Sequence, residues 1–159
     1  MKNLPRLFFM LFLPAAILFS CDSKRVFDIF APLPTVGWDA DSIQTYSFNI
    51  DDSLALYNIF LNIRNDKSYD FSNLWLFVNI IPPQGESFTD TVQVMLANPM
   101  GEWTGKGFSG TYDNQILYRR SIYFPATGTY NIQIQHGMRT KILRGISDIG
   151  IRVEKVGSR

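Results

Sequence analysis

The sequence predicts an all-β fold: an antiparallel two-sheet β-sandwich, jelly-roll-like, of about seven or eight short strands. Three observations predict it. Beyond residue 42, apolar side chains recur at every second position, the period of a half-buried strand. The runs that show this period are short and end at clusters of Gly, Pro, Asn and Asp. No stretch carries the spacing of a convincing amphipathic helix. With 46% of the 159 residues hydrophobic and 14% aromatic, one domain can build a core without disulfides, since a chain of this size buries about 68–70% of its unfolded surface.

Taken in order, Lys2 and Arg6 precede Leu7 to Phe19, an apolar run interrupted by Pro14. That is the charged n-region and apolar h-region of a secretory signal. A membrane-spanning helix needs about 20 apolar residues, and this run stops sooner, at Ser20, Cys21, Asp22, Ser23 and Lys24. Residues 1–20 are therefore expected to be a signal peptide. Leu18-Phe19-Ser20-Cys21 resembles the lipobox of bacterial lipoproteins, and the resemblance implies cleavage before Cys21 and acylation of its thiol, palmitate included. The competing reading is a free thiol beside an ordinary cleavage site. Cys21 is the only cysteine, and an exported thiol without a partner is an oxidation hazard, whereas acylation accounts for both its solitude and its position. At about 0.8 kcal/mol per buried methylene, one chain anchors marginally and two or more anchor stably. The covalent lipid on Cys21 is the one non-protein group expected; no cofactor and no metal are.

Removing Lys2 and Arg6 turns the formal charge from +1 to −1. No run of Lys and Arg offers the basic excess that exchanges counterions with phosphates, so nucleic acid is not an expected partner. Residues 21–41 are expected to be a lipidated tether. Ala31-Pro32-Leu33-Pro34-Thr35-Val36-Gly37 reads as semi-extended chain fixed by its prolines, and Trp38 as the point where it docks. Asp39 and Asp41 lack the glycine-centred loop and terminal Glu of a calcium motif and read as solvated turn residues.

The sandwich is expected over residues 42–156. In Ile43 to Ile50, Tyr46, Phe48 and Ile50 oppose Thr45, Ser47 and Asn49, up to a turn at Asp51-Asp52-Ser53. Tyr57 to Asn65 sets Ile59, Leu61 and Ile63 against Asn58, Asn62 and Arg64, with Phe60 on the polar side. Phe71 to Ile81 is apolar on both faces and is placed centrally in a sheet, stopped by Pro82-Pro83-Gln84-Gly85. Thr89 to Leu96 alternates, and Asn98-Pro99-Met100-Gly101 turns the chain. Ile116 to Phe124 alternates weakly; Gly128 to Gln135 alternates cleanly through Tyr130, Ile132 and Ile134; Ile146 to Val156 closes the domain. Met138 to Arg144 is expected to be a long loop or one helical turn.

Few residue groups suggest chemistry. Gly105-Lys106-Gly107-Phe108-Ser109-Gly110 matches G-x-G-x-x-G, but that fingerprint binds dinucleotides only between a strand and a helix, and no helix comes after it. The sole histidine, His136, has neither a nucleophile-elbow sequence nor a second His to make a triad or a metal site, and reads as structural or exposed. Paired carboxylates could hydrolyse glycosides, yet Asp51, Asp52, Asp66, Asp70, Asp90 and Asp113 fall mostly in turns. The chain is read as no enzyme. Arg139, Lys141 and Arg144 form a candidate basic patch for a partner or anionic lipid. Together with Trp103, Lys106 and Phe108 of the glycine-rich loop they are the candidate partner-binding residues. An alternative stays open: Trp75, Trp103, Tyr112 and Tyr118 as a stacking face for a glycan.

The lipobox, Phe71-Ser72-Asn73-Leu74-Trp75-Leu76, Pro82-Pro83-Gln84-Gly85 and Asp90-Thr91, and then in order Leu96-Ala97-Asn98-Pro99-Met100-Gly101, Trp103-Thr104-Gly105-Lys106-Gly107, Phe124-Pro125-Ala126-Thr127-Gly128-Thr129-Tyr130, Gln135-His136-Gly137-Met138-Arg139 and Gly145-Ile146-Ser147-Asp148-Ile149-Gly150-Ile151-Arg152, resemble the GldH-type gliding-motility lipoproteins of the Bacteroidetes over nearly the whole chain. The resemblance implies a non-catalytic component of the cell envelope, required for gliding and linked with type IX secretion. It implies other envelope motility or secretion proteins as partners; on this chain the loops Met100 to Gly110 and Met138 to Gly145 are expected to meet them. The expected location is a lipid anchor in the outer membrane, on its periplasmic face, in preference to the inner membrane. Cys21 is the one position to which the resemblance carries a role.

Overall fold

The computed structural model describes residues 22–158; Cys21 and the expected signal peptide lie outside the described residues. The described chain is strand and turn throughout. In chain order the strands are β1 (Arg25–Asp28), β2 (Ala31–Pro32), β3 (Trp38–Asp39), β4 (Gln44–Ile50), β5 (Ala55–Asp66), β6 (Asn73–Ile81), β7 (Phe88–Met95), β8 (Lys106–Phe108), β9 (Thr111–Ile122), β10 (Gly128–His136), β11 (Ile142–Leu143) and β12 (Ile146–Ser158). Each run expected from the period of two is a strand here. The sequence does not foretell β1, β2, β3, β8 and β11, which are two to four residues long, too short to show a period.

Two antiparallel sheets face each other, ordered β1-β12-β5-β9-β8 and β4-β10-β6-β7, with β2 also on β12 and a small β11-β3 ribbon beside them. Numbering β1, β4, β5, β6, β7, β9, β10 and β12 from one to eight, the sheets run 1-8-3-6 and 2-7-4-5, the interleaved winding of an eight-stranded jelly roll. This corrects the expected tether. Arg25 to Asp28 is the first strand of the roll, paired with Glu154 to Arg152 of β12, and Ala31 and Pro32 pair with Ile149 and Asp148. Without this segment the β12 edge would present unpaired backbone groups. The expected docking of Trp38 is observed: its ring is fully buried and its indole N–H donates to the Ser42 carbonyl at 2.8 Å.

The core lies between the sheets. Tyr46, Phe48 and Ile50 of β4, Leu74, Leu76 and Val78 of β6 and Tyr130, Ile132 and Ile134 of β10 meet Tyr57, Ile59, Leu61 and Ile63 of β5 and Ile149, Ile151 and Val153 of β12, all buried. Phe48, Phe124 and Tyr130 pack ring on ring, Phe124 to Tyr130 at 4.6 Å between centroids. The weak alternation of Ile116 to Phe124 has a structural cause. The register of β9 against β5 shifts between Tyr57 and Ile59 and again between Ile59 and Phe60, each bulge flipping the parity of the residues beyond it. Ser121 takes the left-handed φ of 51°, and the Asn58 side chain accepts its N–H at 2.9 Å. Central placement of β6, between β10 and β7, is also observed. Its second apolar face stays open to solvent, with Trp75 39% and Phe77 43% exposed.

Candidate binding surface

The two ends of the roll differ. One end carries the β4–β5, β6–β7 and β9–β10 turns; Asp22 meets β12 at Arg152, midway along the strand. The chain then runs along β12 to the other end: the Lys24 carbonyl accepts the Lys155 N–H, and Leu33 donates to the Ser147 carbonyl. Eight residues of extended strand span about 26 Å. Ser147, at the far end, therefore lies that distance from Lys155, beside Lys24, and about 17 Å from Arg152, where Asp22 is held.

All six candidate partner-binding residues lie at this far end. Trp103, Lys106 and Phe108 belong to one group and Arg139, Lys141 and Arg144 to another, and Tyr69 joins them. Its ring packs on Trp103 at 6.3 Å and on Phe71 at 5.7 Å, while Gly145, at a φ of 80°, rests against its backbone. Trp103 is only partly exposed, held between Tyr69 and Tyr112. Phe108 is 93% exposed at the tip of the β8–β9 hairpin. The glycine-rich loop is that hairpin: Ser109 and Gly110 both take positive φ, 59° and 94°, the pattern of a tight two-residue turn. Strand Ile142–Leu143 pairs with Trp38–Asp39, so Met138 to Arg144 contains a short strand and no helical turn.

The expected basic patch is divided. Lys141 bonds to both Asp39 and Asp41, and hydrogen bonds to these carboxylates hold its ammonium above the usual lysine range. Arg144 stands exposed on another side of the loop, beside Leu33, Asp66 and Gly145. Arg139 lines a shallow groove of about 460 Å³ with Phe71, Asn73, Trp75, Phe77, Thr91 and Met138. The backbone N–H of Trp75 points at the Met138 sulfur, 3.4 Å away.

Phe71, Trp75 and Phe77 are the members of this surface that sequence reasoning did not assign to it. The signal was present: Asn73 and Asn79 share the parity of Trp75 and Phe77 and mark that face as outward. Of the expected stacking face, only Trp75 stands here. Trp103 and Tyr112 pack on each other, and Tyr118 faces Asp90.

The outward positions of the whole β4-β10-β6-β7 sheet form a surface of one character. β4 presents Thr45, Ser47 and Asn49; β10 presents Asn131, Gln133 and Gln135; β7 presents Thr89, Thr91, Gln93 and the exposed Met95. With the Asn73, Trp75, Phe77 and Asn79 of β6, none carries a charge. Many of the amides and hydroxyls bond sideways across the strands: Ser47 to Asn131 at 2.6 Å, Asn79 to Gln133 at 3.2 Å, Thr89 to Asn79 at 3.1 Å. The outer face of the other sheet is laced with ion pairs, Arg64 with Asp113 and Asp148, and Arg152 with Asp22, Asp28 and Glu154.

The residues weighed for catalysis are dispersed or engaged. Asp52 bonds Lys155, Asp90 bonds Arg119 and Asp113 bonds Arg64. His136 is buried under Trp38, ring to ring at 5.2 Å, with Nε2 3.1 Å from the Trp38 carbonyl. A carbonyl only accepts, so Nε2 carries the proton and Nδ1 is left bare; it has no partner among the described residues. Burial holds this imidazole below the usual histidine range.

The described chain is a jelly roll with exposed aromatic residues on its loops and on one sheet face. The family model described as GldH lipoprotein matches residues 25–153, and the chain belongs to that family. It is 37% identical over 153 residues to a protein of Christiangramia forsetii named gliding motility lipoprotein GldH homolog, covering 91% of this chain and 93% of the relative. It is 36% identical over 152 residues to the gliding motility lipoprotein GldH of Flavobacterium johnsoniae, covering 91% and 94%. No solved structure matches the chain significantly.

Proposed function

We propose that this protein is a lipid-anchored, non-catalytic interaction component of the envelope machinery for gliding motility and its associated type IX secretion, held through Cys21 on the periplasmic face of the outer membrane. One observation supports the reading: the six candidate residues lie at the loop end of the roll, beyond Ser147, while the chain arrives from Cys21 beside Arg152, five residues further along β12. An anchor there holds the domain at the bilayer and leaves the loop end to meet other proteins. The spacing is short, because Asp22, directly after Cys21, is already ion-paired to Arg152. Kinship to proteins named for gliding motility supports the cellular setting.

The test is cross-linking in whole cells, with affinity capture, mass spectrometry and membrane fractionation after it. Motility or secretion proteins are expected to be captured with the wild-type protein, recovered from the outer-membrane fraction. Capture is expected to fall in Cys21→Ala, which loses the anchor, and in Phe108→Ala combined with Arg139→Glu, which leaves the core intact. Capture of no envelope protein, or undiminished capture by all variants, would overturn the reading.

A further inference from the structure

The geometry points to a second function on an adjoining surface: the outward face of the β4-β10-β6-β7 sheet, whose groove meets the loop end at Arg139, binds a neutral saccharide chain, with Trp75 and Phe77 as the stacking platform. Three features select this ligand. The face carries no formal charge on any of its four strands, although the opposite outer face is held by ion pairs; Arg139, from the loop, is the one charged residue lining its groove, so a polyanion or an acidic protein surface meets a single cation there. Its aromatic rings stand on one strand two residues apart, about 7 Å, over a shallow groove open along the sheet. Such rings offer flat apolar faces to the C–H faces of pyranose units. Apart from Met95 and Ile81 at its margins, the rest of the face is carboxamide and hydroxyl. Asn and Gln each offer two donors and an acceptor, and a sugar hydroxyl both donates and accepts, so rows of amides held by their neighbours can satisfy a run of hydroxyls. An apolar protein partner would instead meet a face that is mostly amide and hydroxyl outside the two rings, unlike the core of a protein interface.

This inference does not rest on the loop-end reading; Arg139 is common to the two surfaces and is left unchanged in the variants used to test it. The full-length lipidated protein, in a detergent without a sugar headgroup, is passed over immobilised neutral polysaccharides (a glucan, a mannan and a xylan) and over a sulfated one. Retention on at least one neutral polymer is expected, unchanged from about 0.05 to about 0.5 M salt because no ion pair contributes. Trp75→Ala is expected to weaken it about tenfold, the equivalent of roughly 1.4 kcal/mol. Thr91→Lys, which places a charge in the groove without touching the core, is expected to weaken it as well. Thermal melts that match wild type separate loss of binding from loss of fold. Three outcomes overturn the proposal: retention on none of the neutral polymers, retention on the sulfated polymer alone, or retention equal to wild type in both variants. If Trp75→Ala abolishes capture of a protein partner while no polysaccharide is retained, the face is a protein interface and the saccharide reading falls.

Discussion

Arg152 gathers three carboxylates. Its Nη1 donates to Asp28 at 2.6 Å, its Nε to Glu154 at 2.6 Å, and its Nη2 to Asp22. Burial opposes the charge on this guanidinium, but the three hydrogen bonds together raise its affinity for the proton, and the same contact lowers that of Asp22. Arg152→Met leaves Asp28 and Glu154 facing each other without a counter-ion. The expected result is a loss of about 2 kcal/mol, the size of a charged hydrogen-bond set, in urea unfolding, with faster proteolysis between residues 22 and 30. His136 makes a second prediction. Its folded pKa lies below the unfolded value of about 6.5, so the unfolded chain binds more protons in the window between them and stability falls as pH drops through it. Above pH 7 the contribution is constant. The unfolding midpoint is expected to fall from pH 7 to pH 5, and His136→Phe, which fills the same buried space without a titrating nitrogen, is expected to flatten that slope. Neither role was readable beforehand: the sequence offers His136 at the end of an alternating strand, but not the Trp38 carbonyl that fixes its tautomer.

Among the elements, the β10–β12 connection depends most on a single residue. Gly145 takes a φ of 80°, and a Cβ there would lie 2.4 Å from the Tyr69 backbone. Gly101 has a φ of 84° with open space around it, and Gly157 has neither constraint. Alanine substitutions are therefore expected to form a graded series: little change at position 157, about 1 kcal/mol at 101 from the left-handed backbone alone, and at least about 2 kcal/mol at 145, where the clash adds to it. Thermal melts measure the series, and only the change at 145 is expected to alter Trp103 fluorescence, through Tyr69. The long strands were legible because their inward residues repeat at period two in the local sequence. The β8–β9 hairpin was legible as a glycine-rich loop but not as a hairpin, because its turn is defined by the φ of Ser109 as much as that of Gly110. The open face of β6 is faintly written for a related reason: Leu74-Trp75-Leu76-Phe77-Val78 is apolar at every position, and only Asn73 and Asn79 at its ends mark the outward half.

For the molecule as a whole, the decisive finding is that the segment between the expected lipidation site and the expected domain is the first strand of the roll. Phe27 packs against the core and meets Phe48 at 6.1 Å. Deleting residues 22–32 is expected to lower stability by at least the roughly 3 kcal/mol typical of removing a large packed side chain, and the melting temperature by about 10 °C; a free tether could be removed without change. The sequence by itself determined the fold class, the positions of the long strands and the family, and through the family the expectation of a lipid on Cys21. Each of these is written in local order: alternation, turn residues and contiguous motifs. Only the tertiary structure decided that Arg25 to Asp28 closes the β12 edge, that six scattered residues lie at one end, and that Trp75 and Phe77 face solvent on an uncharged sheet face. The closing of the β12 edge depends on pairings between residues more than a hundred positions apart, such as Asp28 with Arg152, and short strands carry too few residues to announce a distant partner.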